Sequence, residues 1–472
     1  VDTTKRIKNF IEEILMSRSQ TYIDANQQKF LNELFELLRI PSVSADSSKK
    51  PAIQQAAHFL LNQLKALELE KVALFETPGN PIVYGEHCPH TNKPTVLIYG
   101  HYDVQPSDPD DLWHTPAFEP TLKDGNIYAR GASDDKGQAF THVKALESFI
   151  KSGEEIPVNV KIILEGEEEI GSPNLVPFIE AHKEMFETDM VLISDTSMFG
   201  KDHPSITYGL RGLAYMEVEV VGPNRDLHSG VYGGAVENPL NVLCEMIAKM
   251  KDEQGVIQIP GFYDKVIALT SADRAASAAL PFDEEAYKQS LDINAVHGEK
   301  GHTTLERASA RPTLDVNGMW GGYTGEGAKT VLPSKANAKI SMRLVPDQDP
   351  KEIAKLFTDY FNSIAPNTVK VSVTEYHGGY ASITNLDFYG LKAAAKAFED
   401  VFEKEVLFSR EGGSIPIVAD FKRVLGVESI LMGFGLTSDA IHSPNEKFSI
   451  QDFHRGIKTS ARFLELLPDF MG

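Results

Sequence analysis

Side chains suited to metal and proton chemistry recur where apolar runs end. His101 and Asp103 follow the run Thr95 to Tyr99. Asp134 and Asp135 sit in a small-residue turn, Gly131 to Gly137, ahead of a helix-like stretch, Gln138 to Ile150. Glu165, Glu167, Glu168 and Glu169 close the run Val158 to Leu164, Asp195 closes Met190 to Ser194, and His442 lies in the late segment Ser438 to Glu446. From these, His101, Asp134, Glu169, Asp195 and His442 make two imidazoles and three carboxylates. That donor set suits two divalent ions of borderline character, such as zinc, manganese or cobalt. One carboxylate can bridge, leaving each ion one His and one further carboxylate. Ions about 3.5–4 Å apart polarise a carbonyl and lower the pKa of a bridging water. Hydrolysis then needs one carboxylate free to take a proton, and Glu168, beside Glu169, is placed for it.

Each motif also has a plainer reading. Two carboxylates at a turn entering a helix are either a helix cap or a cation site. His101 and Asp103, two apart on an extended segment, share a face. They are either a ligand with its supporting carboxylate or an ordinary surface loop. The acidic run is either a solvated loop or a set of repelling charges that a cation relieves. Its position directly after a buried-looking strand favours the second. Gly137 permits φ > 0 should the turn need it.

The elements that must position these residues follow from periodicity. Helices are expected over Val1 to Arg18, Phe30 to Ile40 and Ile53 to Leu67, and strands at Val72 to Phe75 and Ile82 to Tyr84. The apolar runs ending at Tyr99, Leu164 and Ser194 read as buried strands alternating with helices. That pattern gives an α/β fold, a mainly parallel sheet with helices on both faces. Ligands in such sheets bind at the carboxyl ends of the strands, which gathers the motifs on one rim. Near residue 208 the pattern changes. Tyr215 to Val221, Ala336 to Val345 and Thr368 to Tyr376 alternate as half-buried strands, and Pro239 to Lys251 and Lys351 to Ile364 look helical. This is an inserted α+β two-layer block, residues 209–385, with Gly321 to Gly327 a flexible loop. The α/β pattern resumes from 386 to 472, with a helix Phe388 to Phe402, a strand Ser429 to Gly433 and a final helix Ile450 to Leu467, so the first domain, 1–208 and 386–472, is discontinuous.

The 472 residues carry 67 Asp plus Glu against 46 Lys plus Arg, a formal charge of −21. This argues against a nucleic-acid partner, which needs a basic footprint. Only Cys88 and Cys244 are present, so a disulfide framework is not expected and a reducing, cytoplasmic compartment fits. No apolar run reaches the roughly 18 residues of a membrane span. The chain starts at Val1 rather than Met, and the sequence leaves open whether a leader was removed.

The order His-x-Asp, Asp-Asp-Lys-Gly, Glu-Glu-x-Gly-Ser, strand-end Asp and late His resembles the M20 metallopeptidase family, in particular its cytosolic nonspecific dipeptidase and carnosinase branch. The segments that carry the likeness run across nearly the whole chain: Gly100 to Pro106, Arg130 to Gly137, Tyr208 to Gly212, Asp226 to Gly234 and Arg410 to Pro416. The resemblance implies that His101 and Asp195 hold one ion, Glu169 and His442 the other, and that Asp134 bridges, with a cis peptide following it. It implies Zn²⁺ or Mn²⁺ as cofactor, Asp103 as support for His101, and Glu168 as general base and later acid. It further implies a homodimer joined through the inserted lid, with His228 reaching into the partner's site to stabilise the oxyanion. His228, Thr330, Arg343, His377 and Ser414 would bind a small peptide substrate, Arg343 through the bidentate fork that suits a terminal carboxylate. On their own residues Arg343 reads as a surface ion pair and His377 as a loop histidine. One departure stands out: relatives carry an aromatic shortly after the strand-end Asp, whereas Asp195 is followed by Thr196-Ser197-Met198-Phe199, in which Phe199 would replace it without a phenolic hydroxyl.

The expected activity is metal-dependent hydrolysis of dipeptides. A rival on the same scaffold is removal of an acyl group from an amino acid, against which the Asp226 to Gly234 motif argues. A rival of another class is a non-catalytic metal-binding scaffold, against which Glu168 and the full ligand set argue. A dinucleotide enzyme lacks its Gly-x-Gly-x-x-Gly after the first strand. The sequence leaves the native metal and the side-chain preference open.

Overall fold

The computed structural model describes residues 17–471. The helix expected over Val1 to Arg18 falls outside these but for its last two residues. Arg18 itself opens a helix, Arg18–Ala25. The chain divides into two compact units. One takes the chain up to Tyr208, Thr384–Ser409 and Asp420 onward; the other takes Gly209–Ile383 and Arg410–Ala419.

The first unit is built on one sheet. Its centre is four parallel strands in the order Asn159–Glu165, Thr95–His101, Met190–Ile193 and Glu428–Leu431. Antiparallel strands flank them: Ile82–His87 and Lys71–Phe75 beyond Asn159–Glu165, and Ser205–Leu210 beyond Glu428–Leu431. Every residue of Asn159–Glu165 and of Met190–Ile193 is buried. Strands buried on both faces in this way need cover on both sides of the sheet. The helix Lys136–Ser152 packs on Thr95–His101 and against Arg18–Ala25, Gln27–Leu38 and Ile450–Phe470. The helix Lys50–Lys65 covers Lys71–Phe75 and Ile82–His87, and Tyr389–Phe402 packs on Glu428–Leu431. Among the described residues no helix is long and apolar enough to cross a membrane.

The second unit is a four-stranded antiparallel sheet in the order Thr313–Gly321, Lys335–Leu344, Gly212–Val221 and Lys370–Gly379. The helices Pro239–Ala248 and Pro350–Ser363 lie on it. Alternation explains the layer: Ala214, Met216, Val218 and Val220 point into the core with Ala338, Ile340 and Met342, and meet Leu243, Met246, Phe357 and Phe361 from the helices. The edge strand Thr313–Gly321 was not evident from sequence. Most of its side chains are exposed or half-exposed, so it lacks the apolar alternation that marks a strand. Only the start of the loop expected at Gly321 to Gly327 belongs to it.

Arg410–Ala419 is the one stretch that the sequence reading kept with the first domain and the contacts group with the second unit. Arg410 Nη2 donates to Asp273 Oδ1 at 2.8 Å, and Arg211 Nε donates to Gly412 O at 3.0 Å.

Candidate active site

The parallel strands deliver their side chains to one rim. His101 is the last residue of its strand and lies in register with Glu165. Glu168 and Glu169 occupy a short 3₁₀ turn just past Asn159–Glu165, and Asp195 lies two residues past Met190–Ile193. Asp134 precedes the helix Lys136–Ser152 across a cis peptide to Asp135. His442 sits in a turn with φ 58°. Two donor groups result: His101 with Glu168 and Asp195, and Asp134 with Glu169 and His442.

Asp134 stands between them. Its Oδ1 is 3.2 Å from His101 Nε2 and its Oδ2 is 2.9 Å from His442 Nε2. Asp195 Oδ2 is 3.9 Å from His101 Nε2, and Glu169 Oε2 is 3.3 Å from His442 Nε2. His101 is buried, and its Nδ1 lies 3.1 Å from Asp103 O and 3.4 Å from Asp103 Oδ1. A proton on Nδ1 satisfies that side and leaves a lone pair on Nε2 aimed at carboxylate oxygens. Nε2 is buried and makes no hydrogen bond. A lone pair facing carboxylates needs a cation between them, so the residues fit a metal site.

Burial pulls the His101 pKa down, but Asp103, Asp134 and Asp195 raise it well above the ordinary imidazole range. Hydrogen bonds to Asp134 and Glu169 lift His442 to about 10. Burial alone would raise Asp134, yet the two imidazoles hold it below the usual carboxylate range. Burial and then nearby carboxylates push Asp195 up to about 6, and Glu168 well above its ordinary value.

The supporting structure is specific. Asp103 accepts from the backbone N–H of Glu168 at 3.2 Å and of Glu169 at 3.1 Å, so it fixes the acidic turn as well as facing His101. The acidic run is divided by task. Glu165 is buried and accepts from Tyr99 OH and Ser172 Oγ; Glu167 accepts from Asn80 N and Asn174. Glu169 is held by Gln105, whose N donates to Oε1 at 3.1 Å and whose Nε2 donates to Oε2 at 2.7 Å. The Glu168 carboxylate accepts no hydrogen bond from the described residues, and it alone of the run is left without a fixed donor.

Sequence reasoning missed three supports. Glu446 is fully buried and accepts from Arg130 Nη1 at 2.8 Å, Gly131 N at 3.0 Å, Ser133 N at 2.9 Å and Asp134 N at 3.1 Å. It thereby fixes the turn that carries Asp134. Burial pushes its carboxyl up to about 7 against the pull of Arg130 and the backbone donors. Asp135 accepts from His101 N at 3.2 Å, and Gln105 acts as described. A buried acid paired with Arg130 across 316 positions leaves no local pattern to read. The glycines also trade roles. Gly131 takes the positive φ, 80°. Gly137 is needed because a Cβ there would collide with Ala132 O.

The remaining expected residues lie in the second unit. His228 is exposed, in the short strand Leu227–His228 paired with Val331–Leu332, and its Nδ1 accepts from Gly230 N at 3.0 Å. Thr330 is its neighbour, accepting through its carbonyl from Ser229 N at 3.1 Å. Arg343 Nη1 donates to Ser414 Oγ at 2.9 Å, and that hydroxyl donates to Arg211 O at 2.5 Å. His377 is exposed and stacks on Tyr215 at 5.2 Å between centroids. Thus His228 with Thr330, and Arg343 with Ser414, form pairs, and His377 joins neither. Phe199 is half-buried in the first unit, its N–H donating to Ser205 Oγ.

Imidazole–carboxylate groups at the carboxyl rim of such a sheet can hold divalent ions of the kind that catalyse hydrolysis. The chain belongs to peptidase family M20/M25/M40, whose sequence model matches residues 97–466. It is a metallopeptidase of that family, on the dipeptidase and carnosinase side. It is 34% identical to the Cys-Gly metallodipeptidase dug1 of Schizosaccharomyces pombe, over 96% of this chain and 98% of that one. It is 31% identical to the Beta-Ala-His dipeptidase of Homo sapiens, over 95% and 92%. Its structure is similar to that of an M20 family metallo-carboxypeptidase from Sulfolobus solfataricus, with a TM-score of 0.85 and 33% identity over 93% of this chain and 99% of that one.

Proposed function

We propose that the protein hydrolyses dipeptides with two divalent ions, Zn²⁺ or Mn²⁺, and that Glu168 is the general base. The observation that carries this reading is Asp134, whose two oxygens face His101 and His442 separately. His101 and Asp195 would hold one ion, Glu169 and His442 the other, and Asp134 both. When bound, such ions polarise the scissile carbonyl and lower the pKa of a water between them. Glu168 takes a proton from the attacking water and returns it to the leaving nitrogen. Its lack of a fixed hydrogen-bond donor leaves both oxygens available for that transfer. Asp103 keeps the turn beneath Glu168 in place while it does so.

The same reading assigns Arg343 and Ser414 to the terminal carboxylate of the substrate and His377 and Thr330 to its positioning. It makes the protein a cytoplasmic homodimer in which the second unit serves as lid and dimerisation domain. His228 of each chain completes the partner's site, donating to the oxyanion. The exposure of His228, and its placement in the unit without the metal-ligand groups, support that role.

The test is a panel of dipeptides, tripeptides and N-acyl amino acids offered to chelator-stripped and to zinc- or manganese-loaded protein. The loaded enzyme should cleave dipeptides only. Glu168→Ala should keep both ions by elemental analysis and lose about 10²–10⁴ in kcat. An active Glu168→Ala enzyme would remove the assignment. Cleavage of N-acyl amino acids alone would move the substrate class and leave the mechanism.

A further inference from the structure

Arg343 opens onto a cavity of about 470 Å³ that lies wholly within the second unit. Five cations line it: Arg211, Lys251, Arg307, Arg311 and Arg343. The carboxylates in its wall are Glu299 and Asp315. Glu299 is spent on Arg311, through Nε at 2.8 Å and Nη2 at 2.7 Å. Asp315 lies 3.6 Å from Lys251 and also offsets part of the Arg211 and Arg343 charge, which leaves five cations facing two carboxylates. Arg211 donates to carbonyls alone, Gly412 O, Arg307 O and Arg311 O, and Arg307 Nε donates to Glu299 O. Burial first and then the Arg343 charge push the Arg211 guanidinium down to about 10, against the pull of Asp315. The excess stands out in a chain of formal charge −21.

Register shows where the cavity leads. Thr313 pairs with Arg343, and Asp315 pairs with Ser341. Residues two apart share a strand face, so the cavity continues from Arg343 past Ser341 and Asp315, one step of about 7 Å along the strands. Lys251 stands at that step, against Asp315.

We propose that this cavity is a second carboxylate subsite, which reads an acidic side chain on the C-terminal residue of the substrate while Arg343 holds that residue's α-carboxylate. The assignment rests on the dipeptidase reading above. Arg343 and Ser414 serve every dipeptide; Lys251 and Arg307 discriminate among them. The cavity draws peptides ending in Glu or Asp in preference to peptides ending in their amides.

Hydrolysis of Ala-Glu and Ala-Gln by the metal-loaded enzyme isolates the charge, since the two side chains differ little in shape. The wild type should favour Ala-Glu about tenfold in kcat/KM, the worth of one charge-assisted hydrogen bond. The double variant Lys251→Met, Arg307→Met should bring the ratio to about one with the Ala-Gln rate within about twofold of wild type, and Lys251→Glu should take it below one. A wild-type ratio near one, or variants that slow both peptides equally, would overturn the proposal. If neither peptide is cleaved, the dipeptidase reading falls, and calorimetric titration with glutarate decides the subsite separately. Binding that the double variant loses keeps it as a site for free dicarboxylates; no binding in the wild type overturns it.

Discussion

Removal of the Glu446 carboxylate tests whether the turn bearing Asp134 is held from outside its own sequence. The side chain is fully buried and receives four donors: Arg130 Nη1 and the N–H groups of Gly131, Ser133 and Asp134. Glu446→Ala leaves all four without that partner. Arg130, itself 1% exposed, would keep only Pro106 O at 3.1 Å, and its Nε already has no partner. An unsatisfied buried donor costs about 1–3 kcal/mol. Four would sum to more than the loss expected, because water entering the vacated space pairs some of them. Breaking a buried ion pair from one side costs about 3–5 kcal/mol, and that is the figure expected here. It is a large share of the roughly 5–15 kcal/mol that stabilises a domain.

The assay follows from tryptophan usage. The chain has two, Trp113 and Trp320. Arg130 lies over the Trp113 ring at 5.5 Å from its centroid, so in a Trp320→Phe background the remaining indole reports on the first unit beside the turn. Urea unfolding of chelator-stripped protein in that background should show the loss in Glu446→Ala. Elemental analysis after dialysis should show weakened metal retention, because Asp134 loses its fixed backbone. The double variant Arg130→Met, Glu446→Leu should recover part of the stability, since it removes the uncompensated charge. A Glu446→Ala loss below about 1 kcal/mol would refute the reasoning, because buried donors would then have found other partners.

Two further outcomes are expected. His142 is buried, its Nε2 is 2.8 Å from Ser194 Oγ, and Ser194 Oγ donates to Met432 O at 2.6 Å. Burial holds the imidazole down at about 3, below its ordinary 6.5, so between those values the unfolded chain binds a proton that the folded chain does not. The contribution is therefore present above pH 6.5 and is lost as pH falls toward 3, at up to about 1.4 kcal/mol per pH unit. His142→Gln should flatten the dependence of urea stability on pH between 6.5 and 4.5 by about one proton, and an unchanged slope would count against the assignment. For His228, mixing His228→Ala with Glu168→Ala chains should restore activity that neither homodimer has, up to about a quarter of wild type on random pairing. Silence of the mixture, with exchange of chains verified, would place His228 outside the partner's site.

The rim was legible because its residues stand where strands end. The runs Thr95 to Tyr99, Val158 to Leu164 and Met190 to Ser194 are short and mostly apolar, so their burial and a mainly parallel sheet followed from pattern, whereas the strand order did not. The helices Ser271–Ala279 and Glu284–Ser290 escaped for the opposite reason: neither buries a residue, so no apolar period exists to be found. Their signal is at the ends. Thr270 with Asp273 forms a capping box, as Thr303 with Glu306 does for Thr304–Ser309, and Asp283 caps Glu284–Ser290. The assignment of Arg410–Ala419 escaped because it depends on Arg211 and Asp273, partners more than a hundred residues away.

The acidic run shows why local reading reaches the ligands before it reaches their supports. Four carboxylates within five residues look alike in sequence, yet the fold gives each a different set of donors. Glu165 turns back to Tyr99 and Ser172, Glu167 to Asn80 and Asn174, and Glu169 to Gln105. Asp103 meanwhile accepts from the backbone beneath Glu168 and Glu169, and so couples the His101 strand end to the acidic turn. What distinguishes Glu168 is the lack of such a donor. A carboxylate fixed by two or three hydrogen bonds is oriented, which suits a ligand; one fixed by none can gain and lose a proton without breaking a bond. On the proposed reading, with Glu169 a ligand and Glu168 the base, it is the surrounding donors rather than residue type that set the two apart, so a substitution at Gln105 or Asp103 should disturb the site as one at a ligand would.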